Sequence, residues 1–122
     1  MANLSLLLVD DEKPLLALLK KYLERQGHQV DVCETGQDAI SRCRQAPGSF
    51  QLIVLDLKLP DMTGEEVLRV VLSECPRIRI LISSGSPWTN EVLPAELRPR
   101  VSSLLKPYMP KQLLDAIGAL AG

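Results

Sequence analysis

At 122 residues the chain has the length of one compact domain with a buried core, so one domain over residues 1–122 and one principal site are expected. A formal net charge of −1 and a pI near 5.8 argue against direct partnership with nucleic acid or an anionic membrane, because both rest on clustered Lys and Arg. The three cysteines, Cys33, Cys43 and Cys75, contain no CxxC pair and fit a reducing cytoplasm better than a disulfide framework, and no apolar run nears the ~20 residues of a membrane span.

Residues 4–9 form a short apolar run broken only by Ser5, the pattern of a strand buried on both faces. Acids follow at once in Asp10, Asp11 and Glu12, so no basic leader and no targeting signal are expected. Pro14 suits a first helical turn, and Leu15, Leu18, Leu19, Tyr22 and Leu23 recur at helical spacing up to a stop at Gly27. Gln29–Cys33 reads as a second strand, and residues 36–46 as a helix ended by Pro47-Gly48. Between them, His28 reads as a solvated connector. Residues 52–55 give the third strand. Thr63 and Glu66 have capping-box spacing, so a third helix opens near Gly64 with Val67, Leu68, Val71 and Leu72 along it. Residues 78–83 predict a fourth strand and Val101–Leu105 a shorter fifth, with a weak fourth helix expected across residues 87–99, short, broken or displaced because Pro87, Pro94 and Pro99 bracket it. Pro110 opens a last helix that carries Leu113, Leu114, Ile117 and Leu120.

This alternation predicts an α/β domain: a five-stranded parallel sheet, doubly wound, with helices on both faces and right-handed crossovers. Ligands of such sheets bind beyond the carboxyl ends of the strands. There stand Asp10 and Asp11 after the first strand, Asp56 after the third, Ser83 and Ser84 after the fourth and Lys106 after the fifth. Three carboxylates brought together must hold protons or share a cation, and a hard divalent ion with oxygen ligands, magnesium (Mg2+), suits them. With Lys106 to neutralise phosphoryl charge, Ser84 to donate a hydrogen bond and Asp56 as a covalent nucleophile, the parts for forming an acyl phosphate are present. Each part has a plainer use when alone: an acidic pair favours a helix start by ~0.3 to 1 kcal/mol, and Ser84-Gly85 can be a turn. Their joint occurrence is what points to chemistry.

Through Val9-Asp10-Asp11-Glu12, the segment from Leu55-Asp56 through Lys58, Pro60 and Asp61 to Gly64, Ser84-Gly85 and Lys106-Pro107-Tyr108, the chain resembles the response-regulator receiver family of two-component signalling. The resemblance covers residues 4–120. It implies a flavodoxin-like fold with strand order 2-1-3-4-5. It also implies a cytoplasmic switch that accepts a phosphoryl group from a histidine kinase or histidine phosphotransfer protein. By the same resemblance Asp56 is the phosphoacceptor, Asp11 a direct magnesium ligand, Asp10 an acid acting mainly through water, and the Lys58 carbonyl a further ligand. Ser84 and Lys106 hold phosphoryl oxygens; Ser84 is preferred to Ser83 because the family places a small residue after the hydroxyl. Lys58 and Ser86 occupy positions that tune loss of the phosphate. The chain departs from the family at Ser103, where an aromatic ring is usual, and Trp88 reads as packing or as an anchor for a partner.

Two other readings use the same residues. A pseudo-receiver would keep the fold as an interaction module without phosphorylation, against which the full set of Asp10, Asp11, Asp56, Ser84 and Lys106 counts. An aspartyl-nucleophile phosphatase would place a second acid two residues after the nucleophile, where this chain has Lys58.

Overall fold

Along each central strand, apolar side chains face opposite sides of the sheet in strict alternation, and this sorts the core into two halves. The computed structural model describes residues 3–122. Its elements are β1 (Ser5–Val9), α1 (Lys13–Arg25), β2 (Gln29–Cys33), α2 (Gly36–Gln45), β3 (Leu52–Asp56), α3 (Gly64–Glu74), β4 (Arg79–Ser84), β5 (Val101–Leu105) and α4 (Pro110–Ala121). All strand pairs are parallel and the order is β2-β1-β3-β4-β5, as the family resemblance implies.

Leu7, Val9, Ile53, Leu55, Ile80 and Ile82 face α2 and α3, where Ala39, Ile40, Cys43, Val67, Leu68, Val71 and Leu72 meet them. Leu6, Leu8, Leu52, Val54 and Leu81 face α1 and α4, against Leu16, Leu19, Leu23, Leu113 and Ile117. Each such side chain contributes about 1.5–3 kcal/mol by leaving water. Ile53 and Leu55 are fully buried, so truncation of either to Ala costs about 2–5 kcal/mol. That rigid layer holds the carboxyl ends of β1, β3 and β4 in fixed register, with Asp56 beside Ser83.

Three sequence expectations change in detail. No α-helix forms across residues 87–99; two short 3-10 turns stand there, Asn90–Val92 and Arg98–Arg100. Pro87, Pro94 and Pro99 deny the segment amide donors and helical continuity. Side chains replace the missing ladder: Asn90 Nδ2 donates to the Arg98 and Val101 carbonyls, and the Arg98 guanidinium donates to the Leu93 and Glu91 carbonyls. His28 is buried rather than solvated, and its Nδ1 accepts the Leu4 N–H at 3.0 Å. At the start of α3 only the hydroxyl half of the capping box forms, with Thr63 Oγ1 accepting the Glu66 N–H. Among the described residues no helix is long and apolar enough to cross a membrane.

Candidate functional site

The apolar runs of β1 and β3 stop at the same edge of the sheet, and the first polar residue after or at each stop is an aspartate. Asp10, Asp11 and Asp56 there bring one carboxylate oxygen each to within 4.8 Å of one another. Asp10 and Asp56 are buried while Asp11 is exposed, so the cluster is open on one side. Asp10 Oδ1 accepts the Glu12 N–H at 3.0 Å, which turns the chain into α1. Asp56 Oδ1 accepts the Lys58 N–H at 3.1 Å. From the end of β5, the Lys106 ammonium reaches in to 2.7 Å from Asp10 Oδ2 and 3.5 Å from Asp56 Oδ2, with Glu12 at 3.7 Å.

Charge is unbalanced in this cluster. Burial, and then the Asp10 charge, push the Asp56 carboxyl above its ordinary range, although the Lys58 N–H and Lys106 pull it down. Burial lowers Lys106, but its hydrogen bond to Asp10 and the charges of Asp10 and Asp56 outweigh this and hold it above its ordinary value. One ammonium among three crowded carboxylates leaves negative charge that a further cation relieves. The donors are hard oxygens and one side is open, which fits a divalent ion such as magnesium that keeps part of its water shell.

A cleft of about 570 Å3 opens above the cluster, and Asp11, Asp56, Lys58, Ser84 and Lys106 all line it. The two candidate serines are separated: Ser84 lines the cleft, its Oγ accepting the Ser86 N–H at 3.1 Å, whereas the Ser83 hydroxyl is paired with the Tyr108 hydroxyl at 2.9 Å. Ser103 is exposed on β5 and its hydroxyl donates to the Trp88 carbonyl at 2.8 Å. Trp88 is half-buried and packs on the core shared with α2 and α3.

Several residues that shape the site carry no chemical signature. The loop after β3 closes through a bridge between Lys58 and Thr63, and the Gly64 N–H donates to the Leu57 carbonyl at 2.8 Å. A Cβ at Gly64 would collide with the Asp56 carbonyl oxygen, so only glycine lets α3 begin this close to β3. Asp61 caps α2 across the loop, its two carboxylate oxygens accepting the Gly36 and Gln37 N–H groups at 2.9 Å each. Those bonds hold the Asp61 carboxyl below its ordinary range. The partners stand far apart in sequence, which is why spacing alone does not reveal this cap; the carboxylate in a Pro60-Asp61 turn is the one local hint.

Residues 6–118 match the family model described as response regulator receiver domain. The transcriptional regulatory protein ResD of Bacillus subtilis (strain 168) is 31% identical over 115 residues, covering 94% of this chain and 47% of that protein. The aerobic respiration control sensor protein ArcB of Escherichia coli (strain K12) is 38% identical over 74 residues, covering 61% of this chain and 9% of that protein. The chain thus spans less than half the length of either relative. Among solved structures, the signal receiver domain of a LuxO repressor protein from Vibrio parahaemolyticus superposes with a TM-score of 0.82 at 28% identity, covering 98% of this chain and 91% of that one.

Proposed function

Because the chain belongs to the response regulator receiver domain family, we propose that it is a phosphoacceptor switch that takes a phosphoryl group from the phosphohistidine of a kinase or phosphotransfer protein onto Asp56. The observation that carries this reading is the meeting of Asp10, Asp11 and Asp56 with Lys106 and Ser84 at one open cleft. A magnesium ion held by Asp10, Asp11, Asp56 and the Lys58 carbonyl would supply positive charge to the phosphoryl oxygens.

The chain's own groups do the rest. An Asp56 carboxylate oxygen attacks phosphorus in line with the bond to the donor imidazole; the P–N bond breaks as the P–O bond forms, and the imidazole leaves with the electron pair. Lys106, already within 3.5 Å of Asp56, takes a phosphoryl oxygen as an ion-pair partner. The Ser84 hydroxyl, which in the free chain accepts from Ser86, turns to donate to another phosphoryl oxygen. That new contact favours a different arrangement of the segment after β4, and the change in partner affinity is the output. The reaction belongs in the cytoplasm, where a phosphohistidine partner presents its donor. Partner identity is a matter of the docking surface rather than of the acidic site.

The test is direct. Incubation with magnesium and acetyl phosphate, or with a phosphorylated histidine kinase, gives one base-labile phosphate on the intact chain that maps to Asp56. A chain that stays unmodified under both donors supports the pseudo-receiver reading, and sustained turnover of unrelated phosphomonoesters supports the phosphatase reading.

A further inference from the structure

At the end of the sheet opposite Asp56, the close of α2 and the close of α3 run side by side. Arg44 and Glu74 join them through a two-pronged ion pair, Nε to Oε1 at 2.8 Å and a terminal nitrogen to Oε2 at 2.7 Å. The neighbours of that pair on the core side are Cys43 and Cys75, and both line one cavity of about 520 Å3 whose other walls include Phe50 and Ile78. The Cys75 backbone is fixed from both directions: its N–H donates to the Val71 carbonyl at 2.8 Å, and its carbonyl accepts from the Arg100 guanidinium. Arg100 also donates to the Leu72 and Ile78 carbonyls, so the end of α3 is held in place by a charged side chain from the turn just before β5.

We propose that Cys43 and Cys75 are a redox dithiol that a peroxide closes to an intramolecular disulfide between α2 and α3.

The two sulfurs differ in access. Cys75 is partly exposed and Cys43 is buried. Burial, followed by the adjacent Cys75 thiol, raises the Cys43 thiol to about 11, so at neutral pH Cys43 is the resolving group and not the first attacker. The Cys75 thiolate attacks one peroxide oxygen; the O–O bond breaks, and with one proton taken up a sulfenic acid and one water result. The Cys43 sulfur then displaces the sulfenic hydroxyl, which leaves as a second water with the thiol proton, and the S–S bond forms. Two thiols are oxidised and one peroxide is reduced to two waters. Cys33 does not compete: it is buried, burial first and then the Asp38 charge push its thiol up to about 12, and its Sγ lies 3.9 Å from the Thr35 carbonyl oxygen as a donor. A bond of this kind is reversible by thiols, as intracellular disulfides with a sensing role are. It would join α2, whose first turn is capped by Asp61, to α3, which starts against Asp56, at their far ends. The assignment stands apart from the phosphoacceptor reading, and its test uses no phosphoryl donor.

The full chain is treated with hydrogen peroxide, the remaining thiols are alkylated, and the digest is mapped by mass spectrometry. The expected result is protection of two of the three thiols, one cross-linked peptide containing Cys43 and Cys75, and full recovery of all three with dithiothreitol. Cys33→Ser leaves that result unchanged, and Cys75→Ser leaves Cys43 alkylatable. A Cys33–Cys43 link, a link between two chains through Cys75, oxidation of Cys75 alone to a sulfinic acid, or three thiols still free would each overturn the assignment. The mapping on the unmodified chain decides the matter even if a substituted chain folds poorly.

Discussion

The Lys106 ammonium lies 2.7 Å from an Asp10 carboxylate oxygen, so the residue proposed to meet the phosphoryl group is held in the free chain by an acid of the candidate metal cluster. Lys106→Ala leaves buried Asp10 facing Asp56 without its nearest cation, which costs about 1–3 kcal/mol in urea unfolding without divalent ions. Because Lys106 is held above its ordinary value of 10.5, its stabilising contribution is complete below that pH and is lost as pH rises through the raised value. The wild type therefore loses more stability above about pH 10.5 than Lys106→Ala does. The variant still binds magnesium but gives little spectral response to beryllofluoride; a response equal to wild type contradicts the role given to Lys106.

Asp56→Asn removes one of three crowded carboxylates and the proposed acceptor together. Asp56 is raised in the folded chain, chiefly by burial, so its ionised form costs stability: the favourable contribution exists at low pH and is lost as pH rises through the raised value. At neutral pH the Asn variant melts at the same temperature or a few degrees higher, a gain of up to about 1 kcal/mol for a domain of this size. The difference shrinks below the ordinary carboxyl value of 3.8. No base-labile phosphate forms on it. Stoichiometric labelling at another residue would move the acceptor elsewhere.

His28 supplies a third pH dependence, opposite in sign to the other two. Its Nδ1 accepts the Leu4 N–H and must be unprotonated to do so, and burial lowers its value below the ordinary 6.5. Stability from this group is present above pH 6.5 and is lost as pH falls through the lowered value. Melting temperature measured from pH 8 to 5, a range of roughly three units about the histidine midpoint, falls more steeply in wild type than in His28→Phe. Parallel profiles would assign the acid sensitivity to other groups.

Asp61 tests how far the loop after β3 depends on a contact outside it. Asp61→Ala removes both acceptors from the first turn of α2, a loss of about 0.5–1.5 kcal/mol by the usual worth of a helix cap. Amide exchange at Gly36 and Gln37 rises at the same time. Unchanged exchange there would show that Thr35, whose hydroxyl accepts the Asp38 N–H, is a sufficient cap by itself.

What the sequence made legible follows from what is local. Buried parallel strands write themselves as apolar runs, so 52–55 and 78–83 were readable within a residue or two, and the polar residues that stop those runs marked the edge where the site lies. Contacts between distant residues left no such trace. Asp61 on the α2 amides, Arg100 on the carbonyls at the end of α3 and Leu4 on His28 are each one polar group meeting a backbone group far away in sequence. The fourth helix was half legible. Its prolines signalled a short, broken or displaced element, and two short 3-10 turns stand there, but nothing local showed that side chains such as Asn90 and Arg98 would satisfy the backbone in place of an α-helix.

Those same side-chain bonds bear on how a signal leaves the site. Ser103 stands where the family usually has an aromatic ring, and instead of a ring that swings it offers a hydroxyl that ties β5 to the Trp88 carbonyl. Trp88 follows Ser84 and Ser86 closely in sequence, and the Ser84 hydroxyl holds the Ser86 N–H. In the proposed switch, movement of Ser84 toward a phosphoryl oxygen would pull on its contact with the Ser86 N–H and carry the displacement along a segment without an α-helix toward the half-buried indole. Magnesium with beryllofluoride should therefore shift the emission of Trp88, the chain's one tryptophan. Ser84→Ala should suppress the shift without preventing magnesium binding. Ser103→Ala should move the emission of the free chain to longer wavelength, since it releases the tether while leaving the acidic cluster intact. If the wild-type spectrum stays unchanged with the mimic shown to be bound, the signal leaves by another surface.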